Sequence, residues 1–255
     1  MTKIFSLLTI ALSFCFSICC YSQSSYINEI NKIKKPVIDN ENIYDVRDIV
    51  INRDVASISL DSGILYFFKP INDRIKLAVF IGKGTFNYQP GTETEVRQLK
   101  RMMKKDMIMD GFSKILLFFD DSTYYDIAPY SNKSSIGIQN NKEIKSIINE
   151  FIDYELYKDY DIFDVNIGNI LFSKSATESF YSYITTDNNG KLFFSINPTE
   201  YEEIGFDRGT WDPVDGLTRE SINQFHSSEQ NQGLTHKETN DAISIESYQI
   251  QTKIN

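Results

Sequence analysis

The stretch Val79-Phe80-Ile81-Gly82-Lys83-Gly84-Thr85-Phe86-Asn87-Tyr88-Gln89-Pro90 carries one alternating apolar segment through two glycines into another. Apolar side chains at every second position require an extended chain, and glycine inside such a pattern marks a bulge or a close backbone approach. The segment is therefore expected to form a bent or bulged β edge. Gly82-Lys83-Gly84-Thr85 has only a superficial likeness to a phosphate loop. The earlier glycine at the required spacing is missing and no helix starts there. This stretch constrains the fold and supplies no reaction.

The surrounding sequence extends the β pattern. Ala56, Ile58 and Leu60 alternate with Ser57, Ser59 and Asp61, as in a strand with one wet face, and Ser62-Gly63 is expected to turn the chain. Ile64 to Phe68 is continuously apolar, which suits a strand covered on both sides. After an Asn72-Asp73 turn, Ile75, Leu77, Val79 and Ile81 are expected to share a face. Ile115 to Phe119 predicts a short strand ending at Asp120-Asp121-Ser122, with Tyr124-Tyr125 opening its hairpin partner. Further strands are expected at Ile170 to Phe172, Phe180 to Ile184, Leu192 to Ile196 and Tyr201 to Phe206. Asp187-Asn188-Asn189-Gly190 supplies the positive φ angles of a tight hairpin between the middle pair.

Helices are fewer. Ile27, Ile30 and Ile33 recur at helical spacing before Pro36. Thr92 with Glu95 three residues on is a capping-box signature, and Val96, Leu99 and Met102 or Met103 give the helix that follows an apolar stripe. Arg97, Lys100, Arg101, Lys104 and Lys105 crowd its later turns, where cations offset the helix dipole and solvate an exposed face. From Asn141, the positions Ile144, Ile147, Ile148, Phe151, Ile152 and Leu156 form the best amphipathic helix. The fold class expected is α+β, mainly β: an antiparallel meander or sandwich-like sheet with two amphipathic helices packed on it.

The beginning of the chain addresses it for export. Lys3 precedes an apolar run from Ile4 to Cys20, and Tyr21-Ser22-Gln23 puts a small residue two positions before the hydrophobicity breaks. Residues 1–23 are read as a signal peptide cut after Gln23, which places the protein in the periplasm or outside the cell. The run is shorter than the ~20 apolar residues a bilayer span needs and lacks a basic stop, so no membrane span is expected after cleavage. Cys19 and Cys20 invite a lipid-anchor reading, but Ser17-Ile18 fits that processing poorly. All three cysteines, Cys15, Cys19 and Cys20, leave with the signal, and with them disulfides, thiolate zinc sites and cysteine nucleophiles. Loss of Lys3, with no acid beside it, moves the formal net charge from -9 to -10. An acidic exported chain is poorly suited to nucleic acid or to an anionic membrane surface.

Residues 24–206 are thus expected to form the β-rich domain. Residues 207–241 have few aliphatics and read as a polar linker, with at most one short helix near Ser221 to Phe225. Within 242–255, Tyr248, Ile250, Thr252 and Ile254 alternate with polar partners. This strand either opens a second β domain cut off by the chain end or folds back to complete the first sheet.

Candidates for chemistry are sparse. His226 and His236, the only histidines, lie ten apart, so they cannot place two nitrogens on one zinc from a single helix turn. His226 beside Ser227 and Glu229 evokes a nucleophile site, yet such sites depend on three-dimensional geometry, and these residues fall close together in a polar segment. Asp120-Asp121 and Glu202-Glu203 contain paired carboxylates of the kind that run glycoside hydrolysis. Neighbouring strand residues point to opposite faces, so neither dipeptide forms a site alone. Asp187-Asn188-Asn189-Gly190 lacks the later glutamate of a helix-loop-helix calcium site. No catalytic, cofactor-binding or metal residue is assigned, and no cofactor is expected.

Three blocks carry a resemblance. Asp48-Ile49-Val50-Ile51-Asn52-Arg53-Asp54, Gly63-Ile64-Leu65-Tyr66-Phe67-Phe68-Lys69-Pro70 and Phe80-Ile81-Gly82-Lys83-Gly84-Thr85-Phe86, followed by Pro90, Thr92, Glu93 and Leu99, resemble the leading β-rich domain of exported bacterial aminopeptidase-N-like zinc metallopeptidases. Phe193 to Pro198, Gln224-Phe225-His226-Ser227 and Ile245 to Ile250 are similar to later segments of that family. The resemblance implies a non-catalytic accessory domain, or a truncated form, acting in assembly or in partner or substrate contact beside a peptidase region or another exported protein. The zinc-binding His-Glu-x-x-His of the family's catalytic region has no counterpart here, so no peptidase activity is expected of this chain. The alternatives are a stand-alone extracytoplasmic module that binds peptide or glycan through exposed tyrosines, and a hydrolase whose carboxylates converge only in the fold.

Overall fold

The computed structural model describes residues 31–227 apart from 136, 158–161, 164, 174 and 215. Residues 1–23, expected to be a signal peptide, Ile27 and Ile30, Glu229, His236 and the strand expected within 242–255 lie outside the described residues. In chain order the elements are β1 (Ile38–Arg53), β2 (Ala56–Phe68), β3 (Leu77–Tyr88), α1 (Glu93–Met103) and β4 (Ile108–Phe119). An insert follows, with α2 (Thr123–Ile127), a 3-10 turn (Ala128–Tyr130), β5 (Asn132–Lys133), α3 (Asn141–Glu155), β6 (Leu156–Tyr157), β7 (Ile162–Phe163) and α4 (Val165–Phe172). The chain then returns as β8 (Phe180–Thr186), β9 (Lys191–Ile196), β10 (Ile204–Asp212) and β11 (Gly216–Phe225).

Nine strands form one antiparallel sheet in the order β11-β10-β9-β8-β4-β3-β2-β1-β5. It is a meander interrupted once, where the insert leaves after β4 and β8 takes up the place beside it. The fold is mainly β with helices packed on a sheet, as the alternation of the sequence predicts.

Continuous apolar runs are strands buried on both faces. Leu65 and Phe67 enter one core while Tyr66 and Phe68 enter the other; on β4, Leu117 and Phe119 oppose Leu116 and Phe118. The first core is covered by Leu99 of α1 and Ile127 of α2, and the second by Ile33, by Ile144, Ile147, Ile148 and Phe151 of α3, and by Ile167, Ile170 and Leu171 of α4.

The sheet curls over its first core. Tyr88 on β3 and Phe206 on β10 are four strand spacings apart, about 19 Å in a flat sheet. Their rings nevertheless stack with centroids 4.2 Å apart and planes 22° apart. The bend has a visible source. The pairing register shifts between Leu60 and Ser62 on β2, between Ile81 and Gly84 on β3, and between Phe112 and Lys114 on β4. A row of bulges across adjacent strands is how a sheet acquires curvature. Here Gly63 pairs with Gly82. A Cβ at Gly82 would overlap the Ser62 carbonyl oxygen and sit 2.5 Å from the Gly63 Cα. The predicted bulge at Gly82 and Gly84 is therefore present, but in an interior strand and not at an edge.

Several expectations are corrected. Ser62-Gly63 does not turn the chain, because β2 passes through it as a bulge. Ile75 precedes β3 and packs on the first core, whereas Leu77, Val79 and Ile81 face the second. Tyr124-Tyr125 lies in helix α2, whose N-terminal Thr123 amide donates to the Asp121 carboxylate at 2.8 Å. Ile170 to Phe172 ends helix α4 and is not a strand, an ambiguity common to short apolar runs. The stretch read as the start of a polar linker is instead sheet: β10 runs on to Asp212, and Ser221 to Phe225 belongs to β11 and not to a helix. Its polar side chains satisfy one another across the strands, as in the Arg208–Glu220 ion pair at 2.6 Å.

Candidate functional site

At one end of the sheet several strand termini and the loops that leave them line an open cavity of about 760 Å³. Its lining comes from Arg53 at the end of β1 and Asp54 after it, Asp121 and Ser122 after β4, Glu178 before β8, Ile196 at the end of β9 and Pro198 after it, Glu203 before β10 and Ile204 at its start, and Ser227 after β11. Four carboxylates thus share the space with one guanidinium. Asp54 and Glu178 adopt positive φ angles, 49° and 57°, without being glycine.

Arg53 is committed to the wall. Its Nε donates to Asp121 at 2.7 Å and its Nη2 to Thr123 Oγ1 at 2.7 Å and to Asp126 at 3.1 Å. The guanidinium also lies 5.2 Å from the Phe180 ring centroid, a cation–π contact. Glu203 is buried and accepts from the Ser227 amide at 3.0 Å, while His226 Nδ1 stands 3.6 Å from the same carboxylate oxygen. The exposed Tyr201 ring meets His226 edge-on at 4.5 Å. Among the described residues the lining is therefore rich in carboxylates, and its one guanidinium is engaged with Asp121 and Asp126.

The two acidic pairs lie in the loops just after β4 and just before β10, and each sends one carboxylate to the cavity. Asp121 and Glu203 reach the cavity while Glu202 is exposed. Asp120 turns inward to form ion pairs with Arg74 and, at 3.6 Å, with Lys76, and accepts the Thr177 amide at 3.2 Å. Lys76 is itself buried and donates to the carbonyls of Ile170 at 2.6 Å and Ser173 at 2.5 Å, tying α4 to the sheet. What the sequence could not show was that Asp121 and Glu203, far apart along the chain, line one space.

The remaining sequence candidates have structural duties. Gly82-Lys83-Gly84-Thr85 is the bulge in β3. Asp187-Asn188-Asn189-Gly190 is the β8–β9 turn, and Gly190 holds φ at 72°. Within the basic cluster of α1, Lys100 pairs with Asp106 at 3.1 Å and Lys105 donates to Asn189 Oδ1 at 2.8 Å. The capping box of this helix is complete: Thr92 Oγ1 accepts the Glu95 amide and Glu95 accepts the Thr92 amide. Among the described residues no group of three or more His, Cys, Asp or Glu side chains could hold a metal ion, and no helix is long and apolar enough to cross a membrane.

Two polar centres, one buried around Glu155 and one half-buried around Glu150, have no counterpart among the sequence candidates. Tyr181 Oη donates to Glu155 Oε1 at 2.6 Å, and Arg219 Nη1 reaches the same oxygen at 2.9 Å. Burial, reinforced by the Glu155 charge, keeps the Tyr181 phenol protonated well above its usual range. Glu150 pairs with Lys114 at 3.1 Å and with Lys191, and accepts from Tyr183 at 3.2 Å. Burial alone would raise its pKa, but Lys191, Lys114 and Ser146 outweigh it and lower the value to about 2. One signal was available for Glu155: it stands four residues after Phe151, on the stripe that α3 buries.

Comparison of the chain with known protein families, curated proteins and solved structures gives no match.

Proposed function

We propose that this protein is a non-catalytic accessory module that grips a basic segment of a protein or peptide partner in the acidic cavity at the strand-end rim. The accessory role, in assembly or in partner or substrate contact, is the one the sequence resemblance to the leading domain of exported aminopeptidase-N-like metallopeptidases implies; the basic character of the partner is inferred from the cavity. The observation that carries the reading is the charge balance of the cavity: Asp54, Asp121, Glu178 and Glu203 face one arginine that already serves Asp121 and Asp126. Ile196, Pro198 and Ile204 add an apolar floor suited to the methylene stem of lysine or arginine.

Titration calorimetry with a lysine-rich and a glutamate-rich peptide tests the proposal. The lysine-rich peptide is expected to bind at low ionic strength. The double variant D54N/E178Q should weaken it about tenfold, and added salt should weaken it further. Equal binding of both peptides, or indifference to the two substitutions, rejects the cavity as the contact site. Turnover of an aminopeptidase substrate that depends on added zinc and is abolished by a chelator rejects the non-catalytic reading.

A further inference from the structure

The tip between β8 and β9 carries a reactive pair of residues. Asn189 is the one asparagine of the sequence that a glycine follows. Glycine has no side chain to crowd its own backbone nitrogen, so that nitrogen can reach the carboxamide carbon of the residue before it. The reaction balances with water as the sole co-reactant. The Gly190 nitrogen gives up its proton and bonds to Asn189 Cγ, the Cγ–Nδ2 bond breaks, and the amino group leaves with that proton as ammonia. Water then opens the cyclic imide at either carbonyl, leaving aspartate or isoaspartate. Gly190 is exposed, and a Cβ there would meet nothing within 4 Å, so water and base have access.

The asparagine itself is held. Its Oδ1 accepts from Lys105 Nζ at 2.8 Å, and its Nδ2 donates to Asp110 Oδ2 at 2.5 Å. Its backbone amide donates to the same Asp110 oxygen at 2.9 Å. Sharing one acceptor draws the carboxamide to the N-terminal side of its residue, whereas the attacking nitrogen belongs to the peptide on the other side. Thr186 fastens that other side, its amide and hydroxyl donating to the Gly190 carbonyl at 2.9 and 2.8 Å. Lys105 has two opposed effects: an ammonium on Oδ1 polarises the carbonyl for attack, and it also fixes the carboxamide. Polarisation helps only once the reacting atoms meet, so the restraint prevails. The anchor, Asp110, is buried, and hydrogen bonds to an ionised carboxylate are the strong kind.

We infer that Asn189-Gly190 is a spontaneous deamidation site that the fold keeps closed, and that conversion goes through opening of the β8–β9 tip. Conversion also prevents the tip from closing again. Aspartate at 189 sets a second carboxylate against Asp110 where Nδ2 now donates, and like charges so close oppose each other. Isoaspartate adds a main-chain atom to the turn and disturbs the pairing of Thr185 with Lys191.

Mass spectrometry of proteolytic fragments follows the exchange of NH2 for OH at Asn189 while the full-length protein ages in mildly alkaline buffer at physiological temperature. The native protein should convert about tenfold or more slowly than a synthetic peptide of residues 185–192. K105M, which frees Oδ1 and leaves Asp110 in place, should convert about threefold or more faster than the native protein, with an unchanged circular dichroism spectrum. D110N removes the anchoring charge and should be faster still. N189D, the product made directly, should unfold at a lower denaturant concentration than the native protein. Native protein that converts as fast as the peptide overturns the inference, a comparison that needs no variant to fold. So does a folded K105M that converts no faster than the native protein, or an N189D that is equally stable.

Discussion

The β8–β9 and β10–β11 hairpins are neighbours in one sheet, yet their tips are built in opposite ways. At the first tip, Asn188 and Asn189 direct both backbone amides and both side-chain amides at the buried carboxylate of Asp110, at 2.5 to 3.0 Å. At the second tip the Val214 amide donates to Asp212 Oδ1 at 2.7 Å, and Trp211 and Val214 face solvent. The first is tied to a strand from the other half of the chain. The contrast shows that a polar turn sequence can anchor the fold while an apolar one stands in solvent, the reverse of what hydropathy alone suggests.

The sharpest way to break this contrast is to release the pinned tip. D110A leaves four donors without their acceptor and should destabilise the protein by about 2–4 kcal/mol, read by denaturant unfolding. The same carboxylate gives a pH signature. Burial would raise its pKa, but hydrogen bonds from Asn188, Asn189 and Thr186 prevail and hold it below 3.8. Its folded pKa is thus depressed, so its stabilisation is complete above that value and is lost as pH falls through the lower, folded one. The stability gap between native protein and D110N should therefore narrow on acidification below 3.8. A gap independent of pH would show that the pin is not ionic. Next in size, G190V forces a branched side chain into a left-handed backbone and should cost about 1–2 kcal/mol. The smallest effect belongs to the free tip: W211A should shift stability by no more than about 0.5 kcal/mol. A large loss there would mean that Trp211 works for the fold and that the two tips are alike.

How much of this could be read from the sequence depends on the range of the interaction. The Asn189-Gly190 turn, the Thr92–Glu95 capping box and the α3 stripe all act within a few residues, and each is legible. Asp110 as the anchor of the turn was not legible, because its partners lie 78 and 79 positions away. Polar β10 and β11 were mistaken for a linker because the outward faces of a hairpin at the sheet edge are satisfied by pairs such as Arg208–Glu220 and Thr210–Thr218, and not by burial. The cavity follows the same logic. Asp121 and Glu203 each stood out as half of an acidic pair, but only the meander's repeated return to one rim makes them neighbours.

The stacking of Tyr88 on Phe206 has a consequence for biogenesis. When β1 to β4 have been synthesised, Phe86 and Tyr88 still lack the rings of Phe194 and Phe206 that later close over them. A nascent chain at that stage holds a half-clad aromatic surface, and the long-range pairings that cover it are the slow kind. Completion must wait for the last hairpins to emerge, so a factor that shields exposed rings is most useful to this protein in the interval before β10 arrives.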